Sequence, residues 1–233
     1  MIDRYAIYSD FQVINKRYGL VGEEFTVPNY NAAPSQQLPV VSNSNKKEIS
    51  FFHWGTNRQW SNNKKVSQKL LSADRDALPQ KTTLINALEK KRCLIPVNGF
   101  YLWKQYSKKR QTPHYFFNPT EEMISLPGIW EENEDMEGNI HNTFKIIEIP
   151  NYSNAIEFGT TMPGIIPKSL EAKWLDDYST PDELFGILQN VDALGQISNH
   201  PVSPHITNIE KNSSELIKPQ SQVDQLGNYT LFE

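Results

Sequence analysis

Few side chains in this sequence combine a reactive type with a useful spacing. The single thiol, Cys93, sits in the apolar run Cys93-Leu94-Ile95-Pro96-Val97. Burial raises a thiol pKa and removes the thiolate that attacks, so Cys93 reads as a small buried hydrophobe rather than a nucleophile. His200 and His205 are five apart across Pro201 and Pro204. That spacing does not force them onto one face, and with one cysteine in the chain no zinc site is expected. Glu131 to Gly138 carries five acidic residues but not the regular oxygen spacing of a calcium loop, and it reads as a solvated hairpin loop. No phosphate-cradling glycine loop, nucleophile elbow or paired-histidine helix is present in the sequence. Neither a metal nor a cofactor is therefore expected.

The elements around these residues are mostly short and extended. Tyr5 to Tyr8, Leu38 to Ser42, Ile49 to Trp54, Cys93 to Trp103, His114 to Asn118, Met123 to Trp130 and Thr143 to Ile149 are rich in β-branched and aromatic residues and bounded by Asn, Gly, Pro or charge, which favours strands. Thr180-Pro181-Asp182-Glu183 combines a hydroxyl cap, a first-turn proline and a glutamate three residues after the cap, a helix start. Thr82 to Lys91 and Ser169 to Asp176 place Leu84, Ile85, Leu88 and Leu170, Trp174, Leu175 at helical spacing. These patterns predict one α+β domain, a largely antiparallel β core with a few peripheral helices, over residues 1–219, followed by a tail at 220–233.

Composition narrows the classes further. A chain of 233 residues with 38% hydrophobic and 21% charged residues can bury enough apolar surface to fold. A net charge of -4 argues against a protein that coats nucleic acid generally, since phosphate affinity needs concentrated Lys and Arg; any polyanion site must be local. One cysteine excludes an intramolecular disulfide. Met1 to Tyr18 contains Asp3, Arg4 and Asp10 and lacks the pattern of an export signal, and no apolar run approaches the ~20 residues that span a bilayer. A cytoplasmic monomer without membrane contact is expected.

Several strings are more specific. Tyr30-Asn31-Ala32-Ala33-Pro34, His53-Trp54-Gly55, Arg92-Cys93-Leu94-Ile95-Pro96-Val97-Asn98-Gly99-Phe100-Tyr101-Leu102-Trp103-Lys104, Gly128-Ile129-Trp130-Glu131, Met162-Pro163, His200-Pro201-Val202-Ser203 and Glu215-Leu216-Ile217-Lys218-Pro219 together resemble the SOS-response-associated peptidase (SRAP) family, in family order. The resemblance implies the SRAP fold and a DNA damage function, in which single-stranded DNA bearing an abasic site is crosslinked to an N-terminal cysteine. The α-amine and thiol of that cysteine close on the sugar aldehyde as a thiazolidine, and an asparagine, a glutamate and a histidine position the sugar and move protons.

Carried over residue by residue, the reactive positions hold other chemistry here. The cysteine falls on Ile2, the asparagine on Ser72, the glutamate on Leu102 and the histidine on Gly159. Two arginines that would face phosphates fall on Asp74 and Thr161. Arg4, Asn31, Trp54 and Met162 stand where the family lines its DNA groove, with a core role for Trp54 and Met162 as the competing reading. The resemblance thus implies a pseudoenzyme that keeps the scaffold and single-stranded DNA as its partner. An active enzyme using the Met1 α-amine for imine chemistry, and a binding module with an apolar pocket, are the alternatives.

Overall fold

The computed structural model describes residues 2–22, 28–55, 68–107, 110–120, 123–134, 137–151, 156–189 and 196–221. The expected α+β architecture is present. Five strands, β3 (Gln37–Ser42), β4 (Asn45–Trp54), β6 (Arg92–Val97), β9 (Ile124–Glu134) and β10 (Ile140–Pro150), follow the order β10-β4-β3-β6-β9. The β9–β10 hairpin then returns the path to its start, closing a small barrel. Closure removes the unpaired edges that an open sheet would expose. Two short strands, β5 (Ser72–Asp74) and β11 (Thr161–Pro163), extend the far end of β10, β5 in parallel and β11 antiparallel. The second sheet has the order β12-β8-β7-β1-β2, from β12 (Ser198–Pro201), β8 (Arg110–Phe117), β7 (Gly99–Ser107), β1 (Tyr5–Ile7) and β2 (Asn29–Ala32).

Where the sequence suggests one strand from Cys93 to Trp103, the structure has two. The chain leaves the barrel at Asn98 and enters the second sheet at Gly99. The Asn98 carboxamide holds the corner: its Oδ1 accepts from Tyr8 N at 2.7 Å and Ser9 N at 3.0 Å, and its Nδ2 donates to Ser9 Oγ at 2.6 Å. A Cβ at Gly99 would lie 2.4 Å from both Phe116 O and the Tyr115 ring, so the close approach of β7 and β8 admits only glycine. One apolar core joins the two sheets, with Ile7, Phe100 and Leu102 from the second sheet and Val40, Leu94, Ile129 and Phe144 from the barrel. A smaller cluster on the outer face packs Tyr101 and Tyr115 beneath Val202, Ile206 and Leu216.

The helices are peripheral. α3 (Thr82–Lys90) and α5 (Pro181–Leu188) match the sequence expectation, and Thr180 makes the full capping box, accepting from Glu183 N while Glu183 Oε2 accepts from Thr180 N at 2.9 Å. The expected helix over Ser169 to Asp176 is a 3₁₀ turn at Lys168–Leu170 followed by the four-residue α4 (Glu171–Trp174). Two further helices, α1 (Phe11–Tyr18) and α2 (Gln68–Leu71), were not expected. In α1 only Ile14 is fully buried, so the apolar stripe is too thin to read against its Asn, Lys and Arg. β9 and β10 run on to Glu134 and from Ile140, so Glu131–Glu134, half of the acidic segment, is paired strand rather than loop; residues 135–136, like 222–233 of the tail, lie outside the described residues. No helix among the described residues is long and apolar enough to cross a membrane.

Candidate functional site

β1 carries the amino-terminal residues into the second sheet between β7 and β2. The Ile2 side chain is wholly buried, at 0% exposure. Its backbone nitrogen donates to Glu148 Oε1 at 2.7 Å, and Thr161 Oγ1 donates to Glu148 Oε2 at 3.1 Å. Glu148 is only 3% exposed. It stands on β10 where that strand pairs with Asp74 of β5 on one side and Pro163 of β11 on the other. A buried carboxylate costs several kcal/mol unless it is hydrogen-bonded, and here its partners tie the amino terminus to the barrel.

Two cavities flank this point. The first, of about 550 Å³, is lined by Ser72, Asp74, Lys81, Lys145, Glu148 and Thr161 among others. Its charges are balanced: Lys145 pairs with Glu131 at 2.9 Å, and the Asp74 carboxylate accepts from Asp76 N at 2.9 Å, capping the turn that follows it. The second, of about 470 Å³, is lined by Asp3, Arg4, Trp103, Gln105, Phe158 and Gly159 among others. It lies where β1 begins and β7 continues past it: Tyr101 N donates to Arg4 O at 3.1 Å, and β7 runs on to Ser107 beyond the reach of β1. Burial pushes the Asp3 carboxyl pKa up, and the neighbouring Arg4 guanidinium pulls it part of the way back.

Residues far apart in sequence thus converge. Ser72, Asp74 and Thr161 line one cavity, Arg4 and Gly159 the other, and Ile2 is anchored between them. Leu102, 1% exposed, belongs to the same core as Ile2 and faces His114 across the β7–β8 register. Three of the proposed groove residues lie deeper. Trp54 is 0% exposed, packs on Tyr5 at 5.1 Å and donates Nε1 to Leu71 O at 3.0 Å. Met162 is 3% exposed. As placed, neither offers a face on which a base could stack. Asn31 is also buried, its Nδ2 donating to Asn208 O and Lys211 O. Of the four, Arg4 lines one of these two cavities.

A family model described as SOS response associated peptidase (SRAP) matches residues 1–209. The chain belongs to the SRAP family. Among curated relatives it is 28% identical over 223 residues to the abasic site processing protein YoqW of Bacillus subtilis strain 168, covering 94% of this chain and 99% of that protein. It is 24% identical over 233 residues to the abasic site processing protein HMCES of Rattus norvegicus, covering 82% of this chain and 65% of that one. A crystal structure of a Bacteroides thetaiotaomicron protein superposes with a TM-score of 0.75 at 20% identity over 93% of this chain and 99% of its own, which shows a shared fold.

Within this SRAP scaffold the structure adds residues that motif reading passed over. Glu148 lies in Ile146-Ile147-Glu148-Ile149, and a lone acid inside an apolar strand is a signal that the sequence does carry. His114 is the second. It is buried at 5% exposure, its Nδ1 is 2.9 Å from Asn199 Oδ1, and Phe158 meets it edge-on at 4.9 Å. Burial holds its pKa below the ordinary histidine value, against the raising effect of the Asn199 bond. Cys93 is buried on β6, where burial pushes its thiol far above the usual range. Among the described residues no group of three or more His, Cys, Asp or Glu is placed to hold a metal ion.

Proposed function

We propose that this chain is an SRAP-fold pseudoenzyme that docks single-stranded DNA across the two cavities beside Ile2 without forming the thiazolidine crosslink that the family resemblance implies. One observation carries the reading. The position of the reactive cysteine holds Ile2, whose side chain is sealed in the core, and the only thiol of the chain is buried on β6. Thiazolidine closure needs amine and thiol on one residue, so no rearrangement of neighbours restores it. The abasic-site processing named for the relatives supports DNA as the partner, and the convergence of Arg4, Ser72, Gly159 and Thr161 on cavities beside the amino terminus supports the place. The test is incubation with single-stranded DNA bearing an abasic site, followed by a denaturing gel. No heat-stable protein–DNA band is expected, and such a band from the unmodified chain would overturn the reading.

Glu148 favours a second reading, in which the α-amine forms a reversible imine with an aldehyde. The Glu148 carboxylate holds the backbone nitrogen of Ile2, the residue that follows Met1 in sequence, and a general base is what imine formation from an ammonium requires. Borohydride reduction across pH 6 to 9 separates the readings: a trapped adduct lost in Glu148→Gln supports imine chemistry, and none at any pH removes it.

A further inference from the structure

β4 and β10 meet in a short parallel seam, with His53 opposite Thr143 and Trp54 opposite Phe144. Trp54 and Phe144 stack inside the barrel at 6.3 Å, so by the alternation of strand side chains His53, Thr143 and, two residues earlier on β10, His141 share the outer face. There the two imidazoles, both half-buried, meet edge-on with ring centroids 6.4 Å apart. His53 is oriented from behind: its Nδ1 lies 3.4 Å from Ser35 O, while Ser35 N donates to Trp54 O at 2.9 Å. A carbonyl can only accept, so Nδ1 carries the proton and Nε2 the lone pair. Metal-ligating histidines are held in this way, by a carbonyl or carboxylate on the far ring nitrogen. Ser35 is also the one non-glycine among the described residues with a left-handed backbone, at a φ of 69°, and strain of this kind collects at functional sites.

We infer that His53 and His141 chelate a late first-row divalent cation, of the zinc, nickel or copper class, which staples the outer face of the β4–β10 seam. Imidazole donors suit these ions, whereas magnesium and calcium take oxygen ligands, and Glu131, opposite Thr143 on β9, is paired with Lys145 at 2.9 Å. Metal–nitrogen bonds of about 2.0–2.1 Å place two imidazole centroids on a tetrahedral ion roughly 5 Å apart, so His141 has about 1 Å to close. The terminal torsion of histidine is broad and allows it. The cross-strand partners of the pair, Gln37 for His53 and Asn133 for His141, are carboxamides that donate their nitrogens to Phe51 O at 3.3 Å and Thr143 Oγ1 at 2.9 Å. Their oxygens, or water, complete the coordination. The ion acts on the barrel and not on the cavities beside Ile2, so this inference does not depend on DNA as a partner.

The experiment is calorimetric titration of the full chain, stripped with EDTA and dialysed, with zinc chloride, and with magnesium chloride for comparison. One zinc ion per chain should bind. His53→Gln and His141→Gln should each weaken that site about a hundredfold, because the imidazole left behind has lost its chelate partner. Zinc held as tightly by either variant, matched by magnesium, or not bound at all overturns the inference. Thermal melting reads the staple directly: zinc at a hundred times its Kd should raise the midpoint of the unmodified chain by about 5 °C or more. The same rise in either variant overturns the inference. Paramagnetic copper keeps the test independent of variant stability. At substoichiometric copper the imidazole signals of His53 and His141, each assigned by its loss in the matching variant, should broaden together and ahead of those of His200 and His205. Broadening that begins at His200 or His205 puts the ion elsewhere, and the inference falls.

Discussion

At the scale of single residues, the amino terminus is held by packing and by one carboxylate. Ile2 is fully buried, so Ile2→Ala should cost about 2–5 kcal/mol, read by denaturant unfolding. Glu148→Leu should cost about 1–3 kcal/mol because Ile2 N and Thr161 Oγ1 lose their acceptor, whereas Glu148→Gln keeps an acceptor and should cost less. The same scale limits any attempt to rebuild the crosslinking set. Gly159 has a φ of 123°, a region that side chains rarely adopt, so Gly159→His demands a change of backbone, unlike Ile2→Cys or Ser72→Asn. Leu102→Glu is more informative. It puts a carboxylate opposite His114 in the strand register, and a neighbouring anion favours the imidazolium. The His114 pKa, now depressed by burial, should rise in that variant, as followed by NMR titration. An unchanged value would mean that the two side chains do not meet.

Among the elements, the helices are fastened to the barrel by specific hydrogen bonds rather than by long stripes. Arg92, buried on β6, donates Nε to Trp174 O at 2.7 Å and Nη2 to Asp176 O at 2.7 Å, while Nη1 donates to Leu88 O and Glu89 O. One guanidinium thus satisfies carbonyls at the ends of both α3 and α4. Lysine has the charge but not the fork, so Arg92→Lys should cost about 3 kcal/mol or more through carbonyls left unpaired. A loss within the error of calorimetry would contradict this account. At α5, Thr180→Ala removes one side of the capping box and should cost about 1 kcal/mol. That motif was legible in the sequence because a cap is a local device. α1 and the break of the long strand at Asn98 were not, because their reasons lie in contacts with Ser9, Tyr8 and the β8 backbone.

For the molecule as a whole, charge balance would limit how a strand is held if it docks as proposed. Arg4, Lys81 and Lys145 are the cations at the two cavities, facing Asp3, Asp74 and Glu148. Even three phosphate contacts would give a salt slope no steeper than about −2 for single-stranded DNA, measurable by binding at several salt concentrations. Stability should also depend on pH through His114. Its folded pKa lies below the unfolded value of about 6.5. Above that value both states are neutral and the contribution is complete; as the pH falls through it, the unfolded chain takes up a proton first and stability is lost. His114→Gln should flatten this part of the unfolding profile. The groups that share its surroundings, Asn199, Lys104, Glu157 and His200, remain in that variant.

The family was readable from ordered strings such as Arg92 to Lys104, and so was the loss of the thiol, because which atoms a residue carries is settled by its identity alone. The α+β class followed from alternation and turn residues, which act over a few positions. The barrel closure, the burial of Trp54 and Met162, the carboxylate of Glu148 on Ile2 and the meeting of His53 with His141 belong to the tertiary structure. Each depends on which distant strands are brought side by side, and on the water that their packing excludes.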